Sequence, residues 1–597
     1  MPFADSRRLT GSNLFFAGPG AVLETQRVAV DDTLISAWQE RVARARRVLE
    51  WGSYLPVKAR RHASGASLAI GAPLDQLLTA TEVNEWAWCA AYVAREPALR
   101  AEVEAALLEA ARELAEDPDT VVPPALEERA AFARFERLAH EERSPRLLEI
   151  IGAAVHRGLQ YVLDDHNLTL GTGAGHRTWP LSDLPAPDEV PWSELHDVPI
   201  AVVTGSNGKT TTVRLLAACA RAHGWRDGYC CTDGVFAGSR LVEAGDYSGP
   251  AGTRRVLRDC AIDAAVLEMA RGGILRRGLA IETADVAVVT NLSSDHFGEY
   301  GIDDLRGLAE AKFVVAHLVA EQGLLVFNAD DAQVREAAVR LLERLGRTPT
   351  IGWFALDYDA PLLREHRDRG GAVCGVRNGR LVLAHSTAVQ DLGAIDAMPL
   401  TVGGHAKYNV SNLAGAALAA AGLGIPPATI REVFATFGRD PLDNAGRLMR
   451  YEIDGVQVIV DYAHNPDGIR GVLTVARALR APNGRLLTLL GHAGNRRDED
   501  IMELAKVAAA CRPDRVIVKE NEAHLRGRAP GEVPALLRSA LFAAGMNESD
   551  VTLAPSELDA VHDALAAAQP GDAVALLVHS SAARAAVLEL LRERSTR

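Results

Sequence analysis

The order of residue patterns along the 597-residue chain predicts an α/β protein: a mainly helical N-terminal domain, a central P-loop domain with a mostly parallel sheet, and a Rossmann-like C-terminal α/β domain. Three observations carry this expectation. Residues 31–163 are rich in Ala, Glu, Arg and Leu at helical spacing, whereas beyond residue 198 short apolar strands alternate with helices. Pro199 to Val203, apolar and β-branched, runs into a glycine-containing loop and then a helix-forming run from Val213 to His223. From Gly446 onward the alternation starts again. The expected boundaries are 1–190, 191–445 and 446–597.

In the first region Thr81–Arg95 and Ala98–Glu116 read as helices, the former opening with Thr79 three residues before Glu82 in the manner of a capping box. Pro180–Pro191 (PLSDLPAPDEVP) reads as a linker. In the central region the strands are Ala264–Leu267, Val286–Asn291 and Leu324–Asn328, with helices such as Asp303–Ala320 between them. Between Thr348 and Val402 the helical pattern weakens, and Asn378-Gly379 flanked by Val373–Val376 and Leu381–Leu383 predicts a hairpin with a tight turn. The last region offers strands at Val456–Tyr462, Arg485–Leu490, Arg515–Lys519 and Ala573–Val578.

A net charge of −14 argues against a surface made for nucleic acid or an anionic membrane. The seven cysteines form no C-x-x-C pair and no zinc spacing, as expected of reduced thiols in a reducing compartment. Met1–Phe15 lacks the apolar core of an export signal and no stretch of about 18 uninterrupted apolar residues occurs, so the expectation is a cytoplasmic protein. Whether it forms a homo-oligomer is left open.

The chemistry concentrates at predicted strand ends, where open α/β sheets bind ligands. Thr204 to Thr212 (TGSNGKTTT) suits a phosphate: glycines at 205 and 208 let backbone N–H groups approach oxygens, Lys209 neutralises β/γ charge, and the Thr210 hydroxyl ligates Mg²⁺ at a helix start. Asn207 and Thr211 complete the candidate set. A strict G-x-x-x-x-G-K-[ST] would need glycine at 203, where Val203 stands. Glu268 ends one strand, and Asn291 to His296 (NLSSDH) ends the next; Glu268 and His296 are candidate ligands for a divalent cation, or helix caps and surface groups. Lys312 sits among alanines and valines, and from sequence alone a snorkelling lysine accounts for it. Arg271, Arg526 and Arg528 are candidates to grip a substrate carboxylate, or solvated loop residues.

In order, T-G-S-N-G-K-T-T, Glu268, Asn291–His296, Ala311-Lys312, Asn328–Asp331, Asn409 with Asn412, Gly446-Arg447 and Asp461–Pro466 (DYAHNP) resemble the motifs of the Mur ligase superfamily, from about Val198 to the C-terminus. Asp246–Pro250, Glu268–Arg276, Asn495–Ile501 and Lys519-Glu520 with Leu525–Arg528 look most like the Mur-type half of the cyanophycin synthetases. The resemblance implies ATP and Mg²⁺ as cofactors, with Lys209 and Thr210 on phosphates and the first ion, Glu268 and His296 on a second ion, and Lys312 as a carbamate that positions it. It implies that Asn291 belongs to the nucleotide site, that Asn409 contacts adenine, and that Arg447 and Asp461 reach ribose and phosphates. His464 would face the reacting phosphate or be structural. Lys209, Lys312 and His464 are then the catalytic candidates.

The implied activity is ADP-forming amide or isopeptide ligation through an acyl phosphate, joining an amino acid to an acidic amino acid or peptide. Two features depart from the pattern. Tyr408 stands where many Mur ligases have histidine, and about 190 residues lead directly to the P-loop where cyanophycin synthetases carry an ATP-grasp module. A nucleotide-binding scaffold with an inactive core and a P-loop hydrolase or kinase are the alternative readings.

Overall fold

The computed structural model describes residues 1–26, 29–113, 125–294, 297–345, 349–386 and 388–595. Its centre is an eleven-stranded sheet. In sheet order Asp227–Cys231, Ala264–Glu268, Ile200–Thr204, Ala284–Val289, Val319–Asn328, Thr350–Asp357 and Ala372–Arg377 run parallel. Ile200–Thr204 and Ala264–Glu268 are buried at every position, as strands covered by helices on both faces must be. Helices Lys209–Ala222 and Lys407–Gly422 pack on one face, while Leu305–Lys312 and Ala332–Arg344 pack on the other.

An antiparallel pair extends the sheet at each end, Gly234–Ala237 with Arg240–Ala244 on one side and Arg380–His385 with Ala388–Ala394 on the other. Both outermost pairings contain a register shift. The expected Asn378-Gly379 hairpin is present: both residues have positive φ, 51° and 72°, as a two-residue turn between twisted strands requires.

The C-terminal region is a six-stranded sheet in the order Met449–Ile453, Val456–Asp461, Ala573–Leu577, Leu486–Leu490, Arg515–Lys519, Val551–Ala554, parallel except for the first pair. Two adjoining loops, Asp461–Asn465 and the one after Leu490, face the central sheet's strand ends.

Helical residues outnumber strand residues in the described N-terminal region, as expected, but it also holds a sheet that the sequence did not announce. Four antiparallel strands, Phe3–Leu9, Gly20–Thr25, Gly65–Gly71 and Val57–His62 in sheet order, carry helices Asp32–Val48 and Leu77–Arg95 on one face. Val57–His62 (VKARRH) is charged and half-exposed and Gly65–Gly71 is built of small residues, so neither shows a clean two-residue alternation. The capping box is also absent. Thr79 lies inside the helix, which starts at Leu77, and its N–H and hydroxyl donate to the Glu142 carboxylate at 2.7 and 2.6 Å. A neighbouring helix thus supplies the cap. The helix predicted over Ala98–Glu116 is Arg100–Glu113 within the described residues, its last part lying outside them.

Residues 180–191 form no free linker. Val190 and Leu195 are buried against helix Pro145–His156, Trp192 donates its indole N–H to the Pro187 carbonyl at 2.7 Å, and the Arg157 guanidinium lies 4.3 Å over its ring. The predicted helix over Asp303–Ala320 stops at Lys312, passes through a tight turn at Phe313–Leu318 and becomes strand at Val319. Among the described residues all cysteines are free thiols, and no helix is long and apolar enough to cross a membrane.

Candidate active site

The loop after strand Ile200–Thr204 turns through Gly205 at φ +142° and Gly208 at φ +82° before helix Lys209–Ala222 begins. A β-carbon at Gly205 would fall 1.9 Å from Thr290 Oγ1 and one at Gly208 2.2 Å from Asn412 Oδ1, so both glycines are required by conformation and by space. The next strand end holds the loop in shape. Asn291 Oδ1 accepts from Asn207 N–H at 2.8 Å, its amide donates to the Asn207 carbonyl at 3.0 Å, and Thr290 Oγ1 donates to that carbonyl at 2.6 Å. Lys209 is half-exposed beside the loop, Nζ 3.2 Å from the Ser206 carbonyl. This is a cradle of N–H groups at a helix start with a lysine at its edge, the arrangement that suits phosphate.

Directly beneath, Glu268 is fully buried and accepts from the hydroxyls of Thr210 at 2.8 Å and Thr232 at 3.1 Å. Hydroxyl and carboxylate oxygens converging at a phosphate loop fit a hard divalent cation. Lys312 is 4 % exposed and donates to the Gly205 carbonyl at 2.7 Å, which corrects the snorkelling account: its ammonium is buried under the loop. Thr211 Oγ1 accepts from Asn444 at 3.2 Å. His296 lies outside the described residues.

The opposite wall is the C-terminal sheet. Asp461, buried at its strand end, accepts from the N–H groups of Leu448 and Ala463, each at 2.7 Å. Burial pushes its carboxyl up from the ordinary aspartate range. The Arg447 guanidinium lies 4.6 Å over the Tyr462 ring. Burial works against its charge, but Asp233, Asp461 and Glu268 outweigh burial and hold it protonated. Asp233, which pairs with Arg214 at 2.9 Å and Arg584 at 2.6 Å, ties the two sheets together; burial raises its carboxyl, yet Arg447, Arg214 and Arg584 bring it below the usual range. Asn465 donates to Asn207 Oδ1 at 2.8 Å, a direct contact between the C-terminal loop and the phosphate loop. His464 lines the same space, its ring 5.3 Å from that of Tyr462.

These walls enclose one cavity of about 1250 Å³, lined by Asn207, Gly208, Lys209, Thr210, Thr211, Glu268, Arg271, Asn291, Lys312, Asn409, Arg447, Asp461, His464 and Arg526, among others. Asn409 is buried, donating to the Leu400 carbonyl and accepting from Asn412. Tyr408 also lines the cavity; its ring lies against Gly471, and its buried hydroxyl has no hydrogen-bond partner among the described residues. Arg271 is buried and paired with Glu299, and Arg526 is exposed at the rim. Arg528 is corrected. It is not part of the lining, and its guanidinium is taken up by the carbonyls of Gly494 and Arg496 and by Asp498 and Glu532.

Residues 203–420 match the model of the Mur ligase middle domain, and residues 446–577 that of the Mur ligase glutamate ligase domain. The chain is 31% identical over 383 residues to the UDP-N-acetylmuramoyl-L-alanyl-D-glutamate--2,6-diaminopimelate ligase of Pseudomonas aeruginosa, covering 63% of this chain and 71% of that protein. The chain belongs to the Mur ligase family. It is also 37% identical over 370 residues to the cyanophycin synthetase of Geminocystis herdmanii, covering 62% of this chain and 41% of that one. The chain spans about two fifths of the length of the curated cyanophycin synthetases it matches. A solved structure of E. coli FolC in complex with ADP aligns with TM-score 0.48 and 18% identity, covering 67% of this chain and 90% of that one.

Several residues of this Mur ligase family member were invisible to sequence reading. Thr232 and Asp233 follow strand Asp227–Cys231 (DGYCC), which has no run of β-branched residues to announce it. Had that strand been found, its C-terminal end would have been the place to look. His492 and His579, both on the cavity wall, also follow strands and could have been found the same way. A second cavity of about 810 Å³ lies where the N-terminal region meets Gly298–Gly301 and shares Arg276 and Glu299 with the first. No motif foretold it.

Proposed function

We propose that the protein is an ADP-forming carboxylate–amine ligase that joins an amino acid to an acidic amino acid or peptide. The observation that carries this reading is the convergence, on one cavity, of the phosphate loop, the Thr210–Glu268 oxygen pair and the C-terminal loop bearing Asp461 and His464. An ATP hydrolase needs no second wall of this kind. A ligase does, because an acyl phosphate must be kept from water until the amine arrives. The names of the relatives, cyanophycin synthetase and a diaminopimelate ligase, agree with an amino-acid substrate.

In this reading the N–H groups of the Gly205–Lys209 loop hold the phosphates and Lys209 spreads the charge that develops as a substrate carboxylate oxygen attacks the γ-phosphorus and ADP leaves. Thr210, Glu268 and His296 would hold Mg²⁺, which supplies further neutralisation of the phosphate oxygens. Carbamylation of Lys312 would leave one N–H for the Gly205 carbonyl while adding an anion beneath the loop. Arg447 and Asp461 orient the nucleotide from the second wall. The amine then adds to the acyl carbon, loses its proton, and the tetrahedral adduct expels phosphate to leave the amide. Asn409 and Tyr408, both on the cavity wall, would enclose the purine, and Arg526, with Arg271 once released from Glu299, would meet a substrate carboxylate. Selection of that substrate falls to the N-terminal region, whose junction with the central sheet forms the second cavity.

The test is incubation of the full chain with ATP, Mg²⁺ and a panel of amino acids and acidic peptides, read as phosphate release and as new amide by mass spectrometry. Substrate-dependent phosphate with a matching amide is expected. Phosphate released without amide, or a phosphorylated product, would replace the ligase reading with that of a hydrolase or kinase.

A further inference from the structure

Behind the cavity wall of the C-terminal sheet lies a buried charged network that the reaction outlined above does not use. Lys519, fully buried at the end of its strand, pairs with Glu557 at the start of helix Glu557–Ala567. Glu557 also accepts from the N–H groups of His579 at 2.9 Å and Ser580 at 2.8 Å, pinning the chain as it leaves the last parallel strand. The His579 side chain is thereby held between two partners of fixed polarity. Lys519 Nζ, which can only donate, is 3.4 Å from its Nδ1; the Ala463 carbonyl, which can only accept, is 3.1 Å from its Nε2. Both ends give the same answer: Nδ1 accepts and Nε2 carries the proton.

We propose that His579 is a positioning residue for amide formation: its Nε2–H fixes the Ala463 carbonyl and so sets the Asp461–Asn465 loop over the phosphate loop. This rests on the ligase reading. The neighbouring residues of that loop are the ones that matter to the cavity. Asp461 Oδ1 accepts from Ala463 N–H at 2.7 Å, so residue 463 is held from both of its peptide groups. His464 follows it, and Asn465 reaches Asn207. The charged and titratable groups facing His579 are Lys519 and Glu557 behind it, His464 and the Tyr462 ring, 5.6 Å away, in front, and His492 from the neighbouring strand end. Burial first, and then Lys519, keep its ring neutral well below the ordinary histidine range. A ring so held is unsuited to proton transfer and well suited to orientation.

The experiment compares His579→Gln, His579→Asn and His579→Leu in the full chain. A glutamine amide can stand where Nε2–H stands and donate to Ala463; asparagine can stand only where Nδ1 stands. With ATP, Mg²⁺ and an active substrate pair, Asn and Leu should lower kcat about 20-fold or more with KM for ATP within about twofold, while Gln stays within about fourfold of the parent. The pH–kcat profile of the Gln variant should keep both limbs of the parent. Loss of a limb, or failure of Gln to rescue, would overturn the proposal and make His579 an acid–base group or a mere packing residue. Nitrogen-15 spectra of histidine-labelled protein, with the His579 signals assigned by their absence from the Gln variant, test the tautomer without turnover. A ring that is neutral and protonated at Nε2 at pH 6.5, where an ordinary histidine is half charged, is expected. An Nδ1–H ring, or one titrating near pH 6.5, would overturn the proposal even if the ligase reading stood. A correct tautomer without turnover on any substrate would instead sink the ligase reading, and with it the positioning role.

Discussion

The two walls of the main cavity are built on different physics. On the central-sheet side, short hydrogen bonds from Thr290, Asn291 and Lys312 hold the backbone of the phosphate loop, and two glycines leave no room for side chains. On the C-terminal side charged groups do the holding: Arg584 reaches across to Asp233 of the central region, which also pairs with Arg214, Arg447 lies over the Tyr462 ring, and Lys519 pairs with Glu557 inside the C-terminal region. A backbone cradle is pre-organised in one shape, whereas an ion pair between separate sheets, as Asp233–Arg584 is, holds at contact and can separate into water. In the proposed reaction the difference becomes a division of labour, with the nucleotide held by the rigid half and the second wall brought up by a half that is held electrostatically.

The largest test of the rigid half is Lys209→Ala. Substrate-dependent phosphate release should fall by on the order of 10³ or more. The thermal midpoint should not move, because Nζ makes a single part-exposed bond to the Ser206 carbonyl. Activity within tenfold of the parent would remove the phosphate role from this loop.

Lys519→Met probes the electrostatic half. It strands Glu557 inside the protein, and urea unfolding should show a loss of about 3–5 kcal/mol. A loss below about 1 kcal/mol would mean that packing, not charge, carries that wall.

The contact between the halves is tested by Asn465→Ala. The substitution removes the hydrogen bond to Asn207 and also the cap that Asn465 Oδ1 gives the Gly468 N–H; the first should lower kcat about tenfold, equivalent to about 1.4 kcal/mol, with the affinity for ATP unchanged in a direct titration, and the second should lower stability by about 1 kcal/mol in urea unfolding. Weakened nucleotide binding instead would show that the two walls are not separable.

The smallest effect extends the comparison to the N-terminal region. Burial, followed in the same direction by Glu82, pushes the Glu85 carboxyl up to about 7. Its folded-state value lies above its unfolded one, so its contribution to stability is fully present below about pH 4.5 and is lost as pH rises through about 7. Glu85→Gln should flatten that dependence and raise stability at pH 8 by about 1–2 kcal/mol, read from urea unfolding at several pH values. A steeper slope would reverse the assignment.

The sheets around the site were legible because parallel strands covered on both faces must be apolar throughout. Ala264–Glu268 and Arg515–Lys519 announce themselves in that way, and the chemistry stands at their ends. The N-terminal strands did not announce themselves. Val57–His62 keeps lysine and arginines on an exposed outer strand, and Gly65–Gly71 is buried yet almost without bulk, so pattern reading passed over both. Lys312 was misjudged because periodicity cannot reveal the carbonyl of Gly205, more than a hundred positions upstream, waiting above it. Arg528 looked like a substrate ligand because the sequence does not show that four partners already share its guanidinium.

The register shifts in the outermost pairings of the central sheet have a bearing on self-association. A wide sheet with straight, apolar outer strands would be a template on which a second copy could add its own strand. Here each outer pairing is bulged, Arg240 and Glu243 punctuate one margin, and Gln390 and Asp391 punctuate the other. The exposed side chains of Leu241 and Val389 each have a carboxylate two positions further along the strand, Glu243 and Asp391, which breaks the apolar margin. Any assembly of copies of this chain should use a face other than the margins of its broadest sheet.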